Sequence, residues 1–155
     1  LNQQSGNTLQ KFREYYLANH SHKKEHTKEK EICDQVMAYI QESYGDVDLS
    51  INRIGQDFKL TSSYLSKRFK NFTGISIFDY LTSTRIEKAR ELLVTTDDSI
   101  EKIAEAVGFL SSAALIRSFK KLENITPGTY RKINKGRQAC KADVPDKHTV
   151  FDCQV

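Results

Sequence analysis

Apolar residues recur through the middle of this chain at spacings of three and four, which marks buried faces of helices. Ile32, Val36, Tyr39 and Ile40 trace a first helix that starts near Lys30 and stops at Tyr44-Gly45, where glycine suits a left-handed cap. Ser50 caps a short helix from Ile51 to Phe58. Thr61 caps a third, with Leu65, Phe69 and Phe72 on its inner face and Gly74 at its end. Ser76 with Asp79 opens a long helix to about Val94 that carries Ile77, Leu81, Ile86, Ala89 and Leu93. Asp98 with Glu101 caps a fifth helix, Ser99 to Val107, and Ser111 caps a sixth with Leu115, Phe119 and Leu122 facing inward. Thr126-Pro127 is an N-cap followed by proline at the first helical position, so a short last helix runs through Tyr130. No segment shows the period-two alternation of a strand. The predicted class is all-α, with seven helices.

The flanks lack this period. Residues 1–28 hold few aliphatic side chains and a polar run from His20 to Lys30, as in a linker or the end of an upstream domain. Within them, Leu9, Phe12, Tyr16 and Leu17 suit a short amphipathic helix with little to pack against. Beyond Asn134 the chain turns polar and irregular, so residues 135–155 read as a tail. His22 and His26 stand four apart, a spacing that suits a metal on a helix. No acidic or cysteine ligand completes that set, and Lys23, Lys24 and Lys28 repel a cation, so a solvated linker is expected and no metal. Cys33, Cys140 and Cys153 are odd in number and widely spaced, unlike a disulfide framework or a zinc site. Cys33, among apolar neighbours, reads as a small buried hydrophobe. Every histidine lies in the linker or the tail, so no nucleophile and base converge in the helical part. The expectation is not an enzyme, with no cofactor and no small-molecule site. No stretch nears the ~20 apolar residues that cross a bilayer, and the expected location is the cytoplasm, at the nucleoid.

The most informative feature is an internal repeat. At a shift of fifty, Leu60 meets Leu110, Ser62 meets Ser112, Leu65 meets Leu115, Phe69-Lys70 meets Phe119-Lys120, Ile75 meets Ile125 and Tyr80 meets Tyr130. Upstream the shift becomes forty-nine, which lays Ser50-Ile51 on Ser99-Ile100 and Ile54 on Ile103, with the indel in a turn. Each copy is a short helix, a tight turn and a longer helix, and a small residue (Gly55 or Ala104) sits where the second helix crosses the first. This is the pattern of a helix-turn-helix, whose second helix enters the DNA major groove. The helix between the copies spans roughly 27 Å at ~1.5 Å per residue. Two recognition helices on its ends would lie near ~34 Å apart, one turn of B-DNA.

Specific residues extend the likeness. They are Asp48-Leu-Ser-Ile51, Tyr64-Leu-Ser-Lys-Arg-Phe-Lys70, Thr73-Gly74, Arg85-Ile86, Ala89, Leu92-Leu93, Ser99-Ile100, Ile103-Ala104, Val107-Gly-Phe109, Arg117, Phe119-Lys-Lys121, Thr126-Pro127 and Tyr130-Arg131. With these, residues 30–133 resemble the DNA-binding domain of the AraC/XylS family of bacterial transcription regulators. Two positions depart from the family pattern. Ala114 replaces the first member of an aromatic pair, and Gly55 stands where alanine is common. The resemblance implies two helix-turn-helix subdomains joined by a long linker helix. The expected domain is 29–134, with the first unit at 30–75, the linker helix at 76–95 and the second unit at 96–134.

The inward set on the third and sixth helices leaves the opposite faces free. The resemblance then places base contacts at Ser62, Ser63, Ser66, Lys67, Ser112, Ala113, Ile116 and Arg117. Arg117 is the foremost of these, because a guanidinium makes two bonds to guanine. Thr61 and Ser111 open helices whose N-termini aim at phosphates, and Lys70, Lys120, Lys121 and Arg131 suit phosphate neutralisation. The partners implied are double-stranded promoter DNA and, through the family, RNA polymerase, usually with activation.

Charge sharpens the picture only when it is located. The net charge of +4 over the whole chain names no partner. Residues 29–58 carry two bases against seven acids, whereas residues 59–70 carry four bases and no acid. Residues 117–132 carry five bases against Glu123 alone. The acidic first helix is therefore expected to face away from DNA. The rival reading is a helical protein-interaction module that keeps this fold, and it predicts no salt-dependent duplex binding.

Overall fold

The computed structural model describes Glu14 and residues 27–142, and the latter form seven helices in sequence. They are α1 (Thr27–Ser43), α2 (Ile51–Asp57), α3 (Ser62–Thr73), α4 (Ile77–Thr95), α5 (Ile100–Ala106), α6 (Ser112–Glu123) and α7 (Pro127–Ala142). The all-α class and the seven-helix order match the sequence reading. The amphipathic stretch at Leu9–Leu17, the histidines of the linker and Cys153 lie outside the described residues.

Hydroxyl caps start the helices. Ser50, Thr61, Ser76, Ser99 and Ser111 each accept from the backbone N–H three residues on, and Thr126 does the same for α7. Each satisfies one donor that the first helical turn leaves without a partner, worth about 1 kcal/mol. Left-handed residues end both long helices of the repeat: Gly74 at φ 79° after α3 and Asn124 at φ 60° after α6. The fifth helix is capped by Ser99 and not by Asp98. The Asp98 N–H goes instead to the Thr96 hydroxyl, and its carbonyl accepts from Arg131. Two other bounds differ from the sequence reading. α1 begins at Thr27, three residues earlier, and α7 continues to Ala142 where a short helix and an irregular tail were expected. Periodicity missed the extension because that turn is polar and is held by other means. Asn134 donates to the Tyr130 carbonyl at 2.8 Å, and Lys135 pairs with Asp97.

Two cores form, one per repeat. Cys33, Val36 and Ile40 of α1 pack with Ile54, Leu65, Phe69, Ile77, Tyr80 and Leu81, and Cys33 is the buried small hydrophobe expected. Ile103, Val107, Leu115 and Phe119 pack with Ile86, Ala89 and Leu93. Matched aromatic pairs sit in each: Phe69 with Tyr80 at 5.7 Å between centroids, and Phe119 with Tyr130 at 5.4 Å. α4 is thus the wall of both cores, its first half facing one and its second half the other. Between the halves lies a polar waist of Ser83, Thr84 and Arg85. The Thr84 hydroxyl donates back to the Tyr80 carbonyl at 2.9 Å, and the Ser83 hydroxyl is buried with no partner among the described residues.

The two helix-turn-helix bends differ in detail. The Leu60 N–H donates to the Gly55 carbonyl, as the Phe109 N–H does to the Ala104 carbonyl, both at 2.8 Å. A Cβ at Gly55 would lie 2.7 Å from the Leu60 carbonyl oxygen, so the first bend is wound too tightly for the alanine that its counterpart carries. Each bend also needs one left-handed residue. The second uses Gly108 at φ 81°, whereas the first forces Lys59 to φ 54°. A side chain in that region costs ~1–2 kcal/mol.

These bends generate a paired prediction. Lys59→Gly should raise unfolding stability by about 0.5–1 kcal/mol, part of the relieved strain being offset by a more flexible unfolded chain. Gly108→Ala should lower it by ~3 kcal/mol, from strain and overpacking together. Urea denaturation of both variants checks the contrast, and equal effects of the two changes would refute the assignment of strain to Lys59.

Candidate nucleic-acid interface

α3 and α6 each bury one face and free the other. Leu65 and Phe69 are 1% and 0% exposed on α3, and Leu115 and Phe119 are both fully buried on α6. Ser63, Lys67 and Lys70 are exposed on α3, with Ser62 and Ser66 half-buried. Ala113, Ile116, Arg117, Lys120 and Lys121 are exposed on α6, with Ser112 half-buried. Ser62 is less free than its position suggests, because its hydroxyl donates to Asn52 Oδ1 of α2 at 2.6 Å. Thr61 and Ser111 are exposed, and their oxygens accept cap hydrogen bonds at 3.3 and 3.2 Å. Their hydroxyl protons remain available to an incoming acceptor.

The charge pattern separates working cations from structural ones. Arg53 pairs with Asp46 at 2.8 Å, Lys88 with Glu91 at 3.1 Å and Arg90 with Glu123 at 3.6 Å. Lys135 pairs with Asp97, and that lysine holds the Asp97 carboxyl below the usual carboxylate range. Lys67, Lys70, Arg117, Lys120 and Lys121 have no acidic partner among the described residues. Five uncompensated cations on the outer faces of two helices make a surface for a polyanion.

Arg131 stands apart from that set. Its Nε donates to the Leu93 carbonyl at 3.3 Å, and its Nη2 to the Asp98 carbonyl. The guanidinium closes the C-terminal end of α4 against the turn that leads to α5, a use that a charge count cannot distinguish from phosphate binding. Sequence reasoning also missed Asn52, which fixes Ser62, and Arg68, whose guanidinium lies 5.3 Å from the Tyr64 ring centroid on α3. Leu110, just before the cap of α6, is 87% exposed although its repeat partner Leu60 packs on the first core. The repeat alignment held no signal for either, since it lays Asn52 on Glu101 and Leu60 on Leu110.

Comparison with known proteins settles the family. A model described as a helix-turn-helix domain matches residues 54–133, half of the chain or slightly more. The chain belongs to the AraC-type helix-turn-helix family of transcription regulators. This AraC-type chain is 38% identical over 102 residues, 66% of its length, to the uncharacterized HTH-type transcriptional regulator YtdP of Bacillus subtilis (strain 168). It spans only 13% of that relative's length. It is similar to the C-terminal domain of the two-component response regulator yesN from Fusobacterium nucleatum, at 41% identity and a TM-score of 0.62. That match covers 63% of this chain and 95% of the other. The same fold occurs in the DNA-binding domain of AdpA, a global transcriptional factor solved in complex with a target DNA. There the TM-score is 0.65 at 24% identity, over 69% of this chain and 96% of that one. The family is one of regulators and not of enzymes, as the sequence reading expects.

The two kinds of cation give separable expectations. Lys120→Met should reduce the slope of log affinity against log salt for duplex DNA by ~1 and leave stability within ~0.5 kcal/mol. Arg131→Met should leave the slope unchanged and lower stability by about 1–3 kcal/mol, since two carbonyls lose a charged donor. Fluorescence anisotropy across a salt series, beside thermal unfolding, reads both effects. A slope that fell with Arg131→Met would return that residue to the phosphate contacts.

Proposed function

We propose that this AraC-type domain binds double-stranded promoter DNA sequence-specifically, with α3 and α6 in two successive major-groove segments on one face of the duplex. The observation that carries the reading is the pair of exposed, uncompensated basic faces on two recognition helices fixed to the ends of α4. That helix has 19 residues and is about 28 Å long. The remaining ~6 Å, supplied by helix radii and turns, brings the separation near one turn of B-DNA, ~34 Å. The DNA complex of AdpA, a protein of the same fold, supports the same partner.

Roles follow from side-chain chemistry. Arg117 reads a guanine through two parallel hydrogen bonds, and Lys67 does similar work in the other segment with less rigid geometry. Ser62, Ser63, Ser66 and Ser112 hydrogen-bond to bases or phosphates, Ser62 only while it keeps or exchanges its bond to Asn52. Ala113 and Ile116 offer methyl groups to thymine methyls. Lys70, Lys120 and Lys121 neutralise phosphates, and the Thr61 and Ser111 hydroxyls donate to phosphates beside the N-termini of α3 and α6. Occupancy of such a site beside a promoter, with contact to RNA polymerase, would make the protein an activator at the nucleoid. Residues 29–134 are the binding unit of this scheme.

Two measurements test the assignment on a duplex recovered by in vitro selection with the wild-type chain. Arg117→Ala should cost ~1–3 kcal/mol and relax preference at one base pair. A loss that is uniform across sequences would make Arg117 a phosphate contact. Replacing thymine by deoxyuracil removes only a methyl, so it should weaken binding in the α6 segment and not in the α3 segment. Indifference to the change in both segments would remove methyl reading by Ala113 and Ile116.

A further inference from the structure

Each helix-turn-helix unit grips α4 through its own apolar core, and the buried polar waist at Ser83 and Thr84 lies between the two sets of core residues. Two bodies attached along one rod remain free to swivel about it unless a second contact ties them. That second contact is on the page, and it centres on Arg85. Its Nε donates to the Tyr44 carbonyl at 2.8 Å and its Nη2 to the Asp46 carbonyl at 2.7 Å, so it holds the turn that ends α1 in the first unit. Its guanidinium carbon lies 5.8 Å from the centroid of the Phe109 ring, in the bend of the second unit. The units also touch without intermediaries. A Cβ at Gly108 would lie 2.4 Å from the Tyr44 carbonyl oxygen, and one at Gly45 would lie 3.2 Å from the Ala106 carbonyl oxygen. Tyr44 packs against both cores.

We infer that Arg85 is a positioning residue that sets the relative placement of α3 and α6, so that the domain accepts one spacing between the two duplex segments it contacts. The geometry fits the task. A planar fork fixed by two carbonyls and covered by a ring has a defined orientation, which a lysine cannot reproduce. Burial pulls the guanidinium below its ordinary pKa and Asp46 acts in the opposite direction, yet an arginine stays charged throughout. The contact therefore persists at any pH at which the protein is folded. Arg85 points into the protein junction and has no part in touching DNA. The inference rests on the two-segment docking proposed above.

The test uses the full chain and a duplex obtained by selection from a random pool with the wild-type protein. Copies of that duplex carry one base pair inserted or removed between the two protected segments, a rotation of about 35°. The wild type should lose ~100-fold on either copy, because one of two tethered contacts can no longer be made. Arg85→Met should bind the parent duplex ~10-fold more weakly and lose less than ~5-fold further on the altered copies. Arg85→Lys, which keeps the charge without the fork, should fall between them. Circular dichroism shows whether each variant is folded, and Arg85→Lys stands in if Arg85→Met is not. A wild type indifferent to the inserted base pair would overturn the two-segment docking itself. A sensitive wild type beside variants that retain the whole spacing penalty would leave the docking standing and overturn the role of Arg85.

Discussion

The end of a helix leaves carbonyls without partners, and here the end of α1 faces the protein and not open solvent. Arg85 supplies donors to the Tyr44 carbonyl and, two residues on, to the Asp46 carbonyl, which also accepts from the Leu49 N–H. Removing it would strand the Tyr44 oxygen where backbone from α1 meets backbone from the second bend. That narrowness dictates the local residues. Gly45 and Gly108 lack side chains because the opposing chain occupies the space, and Gly108 also needs its left-handed φ. The polar waist of α4 follows from the same constraint. An apolar side chain at position 85 would fill space but leave the Tyr44 carbonyl unsatisfied, at a cost of ~1–3 kcal/mol.

Arg131 repeats this solution at the C-terminal end of α4. It bonds the Leu93 and Asp98 carbonyls, and Lys135 adds an ion pair to Asp97 in the same turn. The protein thus divides its basic residues by depth. Arg85 and Arg131, with forked donors, close helix ends inside, while Lys67, Lys70, Lys120, Lys121 and Arg117 stand outside on α3 and α6 without acidic partners among the described residues. Residues 29–134 carry fifteen bases and fifteen acids, yet α3 holds no acid and α6 only Glu123, which pairs with Arg90, so both helices can present a basic face.

Much of this fold was legible in the sequence, and for identifiable reasons. Hydroxyl caps and left-handed terminators are local, so Ser50, Thr61, Ser76 and Ser111 announced helix starts without any knowledge of packing. The repeat carries information across copies, and its match of Ser99 to Ser50 points to Ser99, not Asp98, as the cap of the fifth helix. Long-range bonds were not legible. Nothing near Arg85 in the chain points to Tyr44, forty-one residues away, and Arg131 looked like any other surface base. The polar extension of α7 had no apolar period to betray it. At the interface, the outward faces of α3 and α6 followed from the inward ones, whereas the hold of Asn52 on Ser62 and the exposure of Leu110 depend on packing between elements.

The two recognition helices have diverged where they face outward. Ser63 and Ser66 of one correspond to Ala113 and Ile116 of the other. A symmetric dimer reads the same half-site twice and cannot tell one end of its operator from the other. Under the docking proposed above, two different readers in one chain would see a site with a head and a tail. Such a protein would sit on a promoter in a single orientation, presenting the same flank toward the start of transcription at every copy of its site. Reversing the operator in place would then turn the bound protein around, so the information held by the site includes an arrow as well as a word.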